Sequence, residues 1–253
     1  MKKIGLALGG GAVLGAAHIG VLRALEEKDV EVSFVTGTSI GAFVGALFAF
    51  GNTSKEIEEI ALELEWMDIS GIAIFKSGLL SNAKLGKLLG KSMGEKKIED
   101  AEIPFAVLAT DITNGEKVVI DKGPVAQAIM ASTCIPGIFS PVEFDGKLLV
   151  DGGIVENIPI DTVRKMGAEY VIGVDLNAVK TYNKPDSILD VMINSFHFTL
   201  KAAAKYQTED ADLLITPDLS KFNMVSTDQI EDLIEQGYKD AKEQLKKADL
   251  PMN

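Results

Sequence analysis

The sequence predicts a single α/β domain in which a mixed, mostly parallel β-sheet is flanked by helices. Short apolar runs alternate with helix-like segments along the chain, and Gly-rich turns join the first of them. One Asn-Gly turn and one Asp-Gly turn between apolar runs indicate hairpins, which make the sheet mixed rather than purely parallel. Neither an internal repeat nor a linker interrupts the sequence, so we expect one domain over residues 1–253.

The first part of the chain predicts two buried strands and four helices. Residues 4–8 are wholly apolar and residues 32–35 nearly so, which is typical of strands buried on both faces of a parallel sheet. Helices are predicted over residues 12–28, 40–50 and 53–65, and a fourth begins at Ser81 or Asn82. The third begins at the capping box Thr53-Ser54-Lys55-Glu56.

The rest of the chain predicts two hairpins followed by further α/β elements. Residues 104–110 and 116–120 read as antiparallel strands joined by Asn114-Gly115. A second hairpin turns at Asp145-Gly146, and its second arm leads into Asp151-Gly152-Gly153. The remaining elements are predicted from the periodicity alone: a strand at residues 170–176, a helix over 187–206, a strand at 213–216 and a helix from Ser226.

The composition argues against nucleic-acid binding. The formal net charge is −12, whereas neutralising phosphates requires a positive surface. Nearly all basic residues are lysines, because Arg23 and Arg164 are the only arginines. The single cysteine, Cys134, cannot form an internal disulfide. We therefore expect no nucleic-acid partner and a fold that needs no disulfide.

Two charge-free stretches are long enough to span a bilayer, over residues 4–22 and 32–54. Glycines at positions 9–11 break the first, and a polar Thr36-Gly37-Thr38-Ser39 step breaks the second. The start, Met1-Lys2-Lys3 followed by residues 4–8, imitates a secretory signal, but its apolar run stops after five residues. We therefore expect a cytoplasmic protein without an integral membrane segment.

The motif with the clearest chemistry is Gly37-Thr38-Ser39-Ile40-Gly41, placed between an apolar strand and an apolar helix. This context is what a nucleophile elbow requires, because the glycines permit a tight turn that exposes the serine at a helix N-terminus. A Gly-rich helix start with an N-capping serine is the structural alternative. Ser39 is thus the candidate nucleophile.

A glycine loop follows the first strand and opens a helix, in Leu8-Gly9-Gly10-Gly11. Its backbone N–H groups could bind either a nucleotide phosphate or the oxyanion of a tetrahedral intermediate. The spacing does not fit a dinucleotide or P-loop motif. Neighbouring parallel strands would bring this loop to the sheet edge that holds Ser39, which favours the oxyanion reading of Gly9, Gly10 and Gly11.

A serine nucleophile needs a partner that accepts its proton, and three side chains are candidates. His18 lies in the helix after the glycine loop and reads mainly as a packing residue. His197 matches the Ser-Asp-His chain order of α/β-hydrolases, but that fold reaches its nucleophile only after several strands. Asp151 follows an apolar strand and opens a small-residue turn, which makes it the preferred base.

Together these residues resemble the bacterial patatin-like phospholipase and esterase family. The similar blocks are LGGGAVLGAAHIGVL around Gly9, GTSIGA around Ser39, VDGGIVENIP around Asp151, and the stretches 109–115 and 131–142. They occur in the family's order over residues 4–160. The resemblance implies acyl-ester hydrolysis by a Ser39–Asp151 dyad, a glycine-loop oxyanion site, a lipid or small acyl-ester substrate, and no metal or cofactor.

The resemblance has one departure and leaves two alternatives open. Members usually carry Arg or Lys before the last glycine of the oxyanion loop, where this chain has Leu14. A neutral or lysolipid-like ester is therefore favoured over a phospholipid. An acyltransferase would use the same acyl-enzyme, and a non-catalytic lipid-binding protein could use the same scaffold. The sequence does not give the oligomeric state.

Several other side chains have a structural reading first. The apolar segment 69–80 either packs in the core or walls an acyl pocket. Cys134 has no obvious histidine partner and is a poor nucleophile candidate. Asp111 either supports the site or orders a loop, whereas Asp175 and Asn177 close a strand and read as structural.

Overall fold

One eight-stranded mixed sheet organises the protein. The computed structural model describes residues 2–66, 90–91, 93–179, 184–186, 188–224 and 226–251. Its strand order is β5-β6-β3-β2-β1-β7-β8, and β4 pairs with β3 off this path. The strands are β1 (Ile4–Leu8), β2 (Val32–Thr38), β3 (Phe105–Asp111), β4 (Glu116–Ile120), β5 (Val142–Phe144), β6 (Lys147–Asp151), β7 (Tyr170–Val174) and β8 (Leu213–Ile215).

Helices flank the sheet, and the longer ones lie where the apolar periodicity of the sequence predicts them. They are α1 (Ala16–Glu27), α2 (Ile40–Ala49), α3 (Ser54–Trp66), α4 (Val125–Ser132), α5 (Gly153–Glu156), α6 (Ile160–Lys165), α7 (Ile188–Gln207) and α8 (Ile230–Lys247). The sequence pattern does not predict α4, α5 and α6, because segments of eight residues or fewer show too little of a helical period. The helix predicted from Ser81 or Asn82 lies outside the described residues.

The predicted parallel and antiparallel pairings are both present. Strands β1, β2, β3, β7 and β8 pair in parallel, and every residue of β1, β3 and β7 is buried, as their apolar composition predicts. The hairpins β3–β4 and β5–β6 are antiparallel and turn at Gly115 and Gly146, both with positive φ. The capping box is also present, since Thr53 and Glu56 exchange hydrogen bonds.

Strand β2 is longer than predicted and continues through Thr38. Residues 36–38 look like a polar turn in the sequence, but both threonine hydroxyls find acceptors inside the protein. Thr36 Oγ1 donates to the Pro159 carbonyl at 3.0 Å and Thr38 Oγ1 to the Glu156 carbonyl at 2.9 Å. Because these buried polar groups are satisfied, the strand can extend to the residue before Ser39.

The sheet topology brings the ends of β2 and β6 together. Strand β3 has neighbours along both of its edges. Strand β4 pairs along one edge, and β2 and β6 both pair along the other. The other edge is shared: Thr38 of β2 pairs with Leu108, and Asp151 of β6 pairs with the next residue, Ala109. The sheet therefore places Ser39, which follows Thr38, beside Asp151.

Helix α1 is fixed against α8 by two glycines. A Cβ added at Gly20 would lie 2.0 Å from the Ile234 carbonyl oxygen, and one added at Gly237 would lie 2.2 Å from the Ala17 carbonyl oxygen. The two helix backbones are thus in direct contact, which no residue with a side chain would permit at either position. This contact fixes the helix that carries His18.

Candidate active site

Ser39 occupies a strained turn between β2 and α2. Its φ is 55° and ψ is −126°, a backbone conformation that side chains disfavour and that nucleophile elbows use to expose the serine. A Cβ at Gly37 would lie 2.4 Å from the Gly41 carbonyl oxygen, and one at Gly41 would lie 2.2 Å from the Leu8 carbonyl oxygen. Only glycine fits at both positions, as the sequence motif predicts.

A buried serine that the sequence analysis did not single out holds this turn in place. The Ser39 backbone N–H donates to Ser132 Oγ at 2.8 Å, and that hydroxyl donates to the Leu108 carbonyl at 2.6 Å. Ser132 is fully buried at the end of α4. The strained elbow is therefore braced by a side chain 93 residues away in the chain.

The carboxyl group of Asp151 lies in contact with the Ser39 hydroxyl. Asp151 is 2% exposed, and its Oδ1 accepts the Gly153 N–H at 2.8 Å. Burial raises the pKa of Asp151 to about 6, although the hydrogen bonds from Gly153 and Ser39 oppose this rise. A carboxylate with this pKa is a stronger base than an exposed aspartate and is still ionised at neutral pH.

The backbone of Asp151 is fixed on both sides. Its N–H donates to the Cys134 carbonyl at 2.8 Å, and its carbonyl accepts the Thr110 hydroxyl at 2.9 Å. Gly152 follows so close to β3 that a Cβ there would lie 2.3 Å from the Leu108 carbonyl oxygen. The carboxyl group is thus held on a rigid backbone at the end of β6.

The glycine loop lies beside Ser39 and is held by three side chains from distant parts of the chain. A Cβ at Gly10 would lie 3.1 Å from Ser39 Cβ. The Gly10 N–H donates to Asn157 Oδ1 at 3.2 Å, and the Gly10 carbonyl accepts Asn177 Nδ2 at 2.9 Å. The Gly9 carbonyl accepts a hydrogen bond from His18 Nε2 at 2.8 Å.

These contacts decide which loop N–H groups could bind an oxyanion. The Gly9 N–H donates to the Val174 carbonyl at 3.2 Å, and the Gly10 N–H is shared between the Asn157 side chain and its backbone carbonyl. Within the described part of the chain, the N–H groups of Gly11, Ala12 and Ile40 have no acceptor. Of the three predicted donors, Gly9 and Gly10 thus already have acceptors for their N–H groups, and the Gly11 N–H has none in this part of the chain. That the loop binds an oxyanion stays a prediction.

Asn177 sets the direction of that Gly11 N–H. In a trans peptide the carbonyl and the N–H point in opposite directions. Because Asn177 holds the Gly10 carbonyl on one side, the N–H of the same peptide unit, which belongs to Gly11, points to the other side. Asn177 is 1% exposed and was expected only to close a strand, so its contact with the loop is a finding of the structure.

His18 holds the glycine loop through its hydrogen bond to the Gly9 carbonyl. It is fully buried, and burial lowers the pKa of His18 to about 4, against the smaller opposing effect of its bond to Gly9. The imidazole is therefore neutral at pH 7, and the Gly9 carbonyl fixes its Nε2–H tautomer. The structural reading of His18 agrees with this arrangement.

The remaining candidate side chains make contacts elsewhere in the described part of the chain. His197 is buried on α7 and stacks edge-on against Phe196. The Cys134 thiol lies 3.0 Å from the Met130 carbonyl oxygen. Asp111 accepts hydrogen bonds from the N–H and hydroxyl of Thr113, which lower the pKa of its carboxyl group. Asp111 therefore orders the β3–β4 turn, which was one of its two expected roles.

Two further predictions concern the substrate. Leu14, at the position where the resembling family carries a cation, is fully buried in the hydrophobic core. It contributes no charge or exposed surface for recognising a head group. The apolar segment 69–80, which was expected to pack in the core or to wall an acyl pocket, lies outside the described residues.

A family model described as patatin-like phospholipase matches residues 6–164, which include Ser39, Asp151 and the glycine loop. The chain belongs to this family. An uncharacterised NTE family protein of Mycobacterium tuberculosis is 36% identical over 181 residues, 69% of this chain and 49% of the relative. A protein of Meyerozyma guilliermondii named lysophospholipase NTE1 is 31% identical over 186 residues, 70% of this chain and 13% of that relative. The chain thus spans half or less of the length of these relatives.

The solved structure of VipD from Legionella pneumophila has the same fold. The match covers 97% of this chain and 67% of that one, with a TM-score of 0.62 and 14% sequence identity. The predicted mixed α/β fold is confirmed by the sheet and by this likeness. None of the described helices is both long and apolar enough to cross a bilayer.

Proposed function

We propose that this patatin-like protein is a serine acyl-ester hydrolase in which Ser39 is the nucleophile and Asp151 the base. The observation that carries the proposal is the contact of a buried carboxyl group with the hydroxyl of a strained serine at a helix N-terminus. Neither a plain N-cap nor a plain Asp-Gly turn requires that contact. The family model and the name of the yeast relative support ester hydrolysis.

The reaction would run through an acyl-enzyme. Asp151 accepts the hydroxyl proton of Ser39 while Oγ bonds to the ester carbonyl carbon and the carbonyl π electrons move to oxygen. The tetrahedral intermediate collapses by breaking the bond to the leaving oxygen, which takes the proton from Asp151. A water molecule then attacks the acyl-enzyme, Asp151 accepts its proton, and the carboxylic acid leaves as Ser39 recovers its proton.

The oxyanion would lie between the glycine loop and the start of α2. The N–H groups of Gly11, Ala12 and Ile40 are the available donors there. Ile40 is the residue after the nucleophile, whose N–H commonly serves this purpose at a nucleophile elbow. The N-terminus of α2 adds a favourable field for the negative charge.

The raised pKa of Asp151 suits the proposed role. A base is most effective when its pKa is near the working pH, and an ordinary aspartate lies about three units below pH 7. With a pKa of about 6, Asp151 binds a proton more tightly while it remains mostly ionised at pH 7. Burial thus raises the basicity of Asp151 towards that of the histidine that accepts the serine proton in other serine hydrolases.

For the substrate we propose a lipid or small acyl ester without a required phosphate. The buried Leu14 supports this choice, because no cation is present at that position to pair with a phosphate. The net charge of −12 supports the lack of a nucleic-acid partner. We also propose a cytoplasmic location, which the single buried cysteine supports.

The test is hydrolysis of p-nitrophenyl esters from acetyl to dodecanoyl and of a lysophospholipid, with Ser39→Ala in parallel. We expect turnover by the wild type, at least a thousandfold loss in Ser39→Ala, and a melting temperature within about 2 °C of wild type, because Ser39 is a small buried side chain at the end of a strand. Ser195→Ala, which removes an exposed hydroxyl on α7, is the matched control and should retain full activity.

The pH dependence supplies a second readout for the base. We expect kcat/KM to fall tenfold per pH unit below about pH 6, because the ionised form of Asp151 is the active one. Full activity in Ser39→Ala, or a profile that stays flat from pH 7 to pH 4, would remove the support for the dyad.

A further inference from the structure

An apolar cavity of about 100 Å³ lies next to the nucleophile elbow, between the glycine loop and helices α1, α2 and α3. We refer to it as the α2 cavity. Ile40 and Phe43 of α2 form one wall, Ile19 of α1 another, and Ile57 and Ala61 of α3 the third. Among the described residues that line it, Thr227 alone has a polar side chain.

The α2 cavity shares its walls with the proposed oxyanion site. Ile40 directly follows Ser39, and its side chain lines the cavity while its N–H is one of the available donors. Val13 and Gly15, which also line the cavity, lie in the short 3-10 helix that follows the glycine loop. A carbonyl group held by these N–H groups would therefore lie beside residues that line the cavity.

The direction of proton transfer decides which half of an ester faces the cavity. The leaving oxygen takes its proton from Asp151, so the alcohol half must face that carboxyl group. Asp151 forms hydrogen bonds with Ser39, Thr110, Cys134 and Gly153, and none of these four residues lines the α2 cavity. The cavity and the base thus have different neighbours, and we assign the cavity to the acyl half.

We propose that the α2 cavity binds the first methylenes of the substrate's acyl chain, an inference that rests on the proposed hydrolase function. The described residues that line it carry no charge and, apart from Thr227, are apolar, which suits a hydrocarbon chain and not a phosphate or sugar. An apolar cavity of about 150 Å³ holds the six carbons of benzene, or about 25 Å³ per carbon. By the same ratio the α2 cavity accommodates about four carbons.

The expected consequence is a dependence of rate on acyl length. Each methylene that enters an apolar site should raise kcat/KM about fourfold. From the acetyl to the butyryl p-nitrophenyl ester, which adds two methylenes, we expect a rise of about fifteenfold.

Two variants on α3 test the position of the chain. Ala61→Leu adds three carbons, which occupy about 75 Å³ of the cavity by the same ratio, so the butyryl-to-acetyl ratio of kcat/KM should fall at least fivefold. Ile57→Ala removes three carbons from the same wall and so enlarges the cavity, and the preferred acyl length should increase by about two to three carbons. Ala202→Leu, an exposed position on α7, is the matched control and should leave the ratio unchanged.

The outcomes separate this inference from the proposed function. If the wild type shows no turnover beyond that of Ser39→Ala, the proposed function and the acyl-chain assignment are both overturned. Turnover that depends on Ser39, with chain-length profiles in Ala61→Leu and Ile57→Ala that match wild type, would overturn the acyl-chain assignment alone. Melting temperatures identify a variant that fails to fold, and because the two variants change the cavity in opposite directions, either one that folds tests the assignment.

Discussion

Replacing Asp151 by asparagine should make the protein more stable at neutral pH, because the native carboxyl group is ionised in a buried site. Asparagine has nearly the same shape, and its Oδ1 can still accept the Gly153 N–H. The substitution therefore removes the charge and leaves the turn after β6 intact. Active-site groups commonly reduce stability in this way, since their placement serves chemistry.

The magnitude follows from the pKa of Asp151. The value rises from 3.8 in an unfolded chain to about 6 in the folded protein, and each pKa unit corresponds to about 1.4 kcal/mol. Ionising the buried carboxyl group therefore reduces the free energy of unfolding by about 3 kcal/mol at pH 8. For a chain of 253 residues this corresponds to a change in melting temperature of about 6 °C.

The sign of the pH dependence is fixed by which state binds the proton. Between about pH 4 and pH 6 the folded protein holds a proton on Asp151 and the unfolded chain does not. Raising the pH through this window therefore destabilises the wild type and leaves Asp151→Asn unaffected by this group. The difference in stability between the two should be small below pH 4 and reach its full value above about pH 6.

The assay is urea unfolding of wild type and Asp151→Asn at pH 4.5, 6 and 8, with ester hydrolysis measured on the same samples. We expect the variant to gain stability relative to wild type as the pH rises and to lose turnover at every pH. A stability difference that is constant from pH 4.5 to pH 8 would refute the assignment of a buried, proton-binding carboxyl group at Asp151.

Two further predictions concern the side chains that hold the glycine loop. Asn177→Ala should lower kcat at least tenfold with little change in KM, because the Gly10 carbonyl loses its hydrogen bond and the Gly11 N–H is then no longer held in one direction. The control is Asn114→Ala in the exposed β3–β4 turn, which should leave steady-state kinetics unchanged. His18→Gln keeps a donor for the Gly9 carbonyl but cannot titrate. Its free energy of unfolding should exceed that of wild type by up to about 3 kcal/mol near pH 4.5 and should not exceed it at pH 8. Urea unfolding at both pH values measures this difference.

The sequence predicts the elements of the site that depend on local backbone chemistry. Ser39 can be recognised as the candidate nucleophile because a nucleophile elbow needs small residues at two fixed positions. Gly37 and Gly41 occupy these positions, and at each of them backbone atoms lie within 2.4 Å of where a Cβ would be. Asp151 can be recognised because it ends a strand before two glycines. Both signals lie within five residues of the side chain concerned.

The side chains that hold the site in place carry no such local signal. Asn157, Asn177 and Ser132 act on residues 147, 167 and 93 positions away. Asparagine and serine are common in turns and at helix ends for local reasons, so their sequence neighbourhood gives no indication of a distant partner. Their partners are determined by the sheet topology, which brings the C-terminal ends of β1, β2 and β6 together.

His18 and Asp151 affect stability in opposite directions over the same pH range. As the pH falls from 6.5 to 4, the unfolded chain takes up a proton at position 18 that the folded protein resists, which costs about 3 kcal/mol. As the pH falls from about 6 to 4, the folded protein takes up a proton at Asp151, which returns a similar amount. Because the two effects offset each other, the stability of the wild type can be nearly independent of pH in this range even though the pKa values of both groups are strongly shifted. The single variants at each position are therefore the informative measurements, since each exposes the slope that the other group conceals.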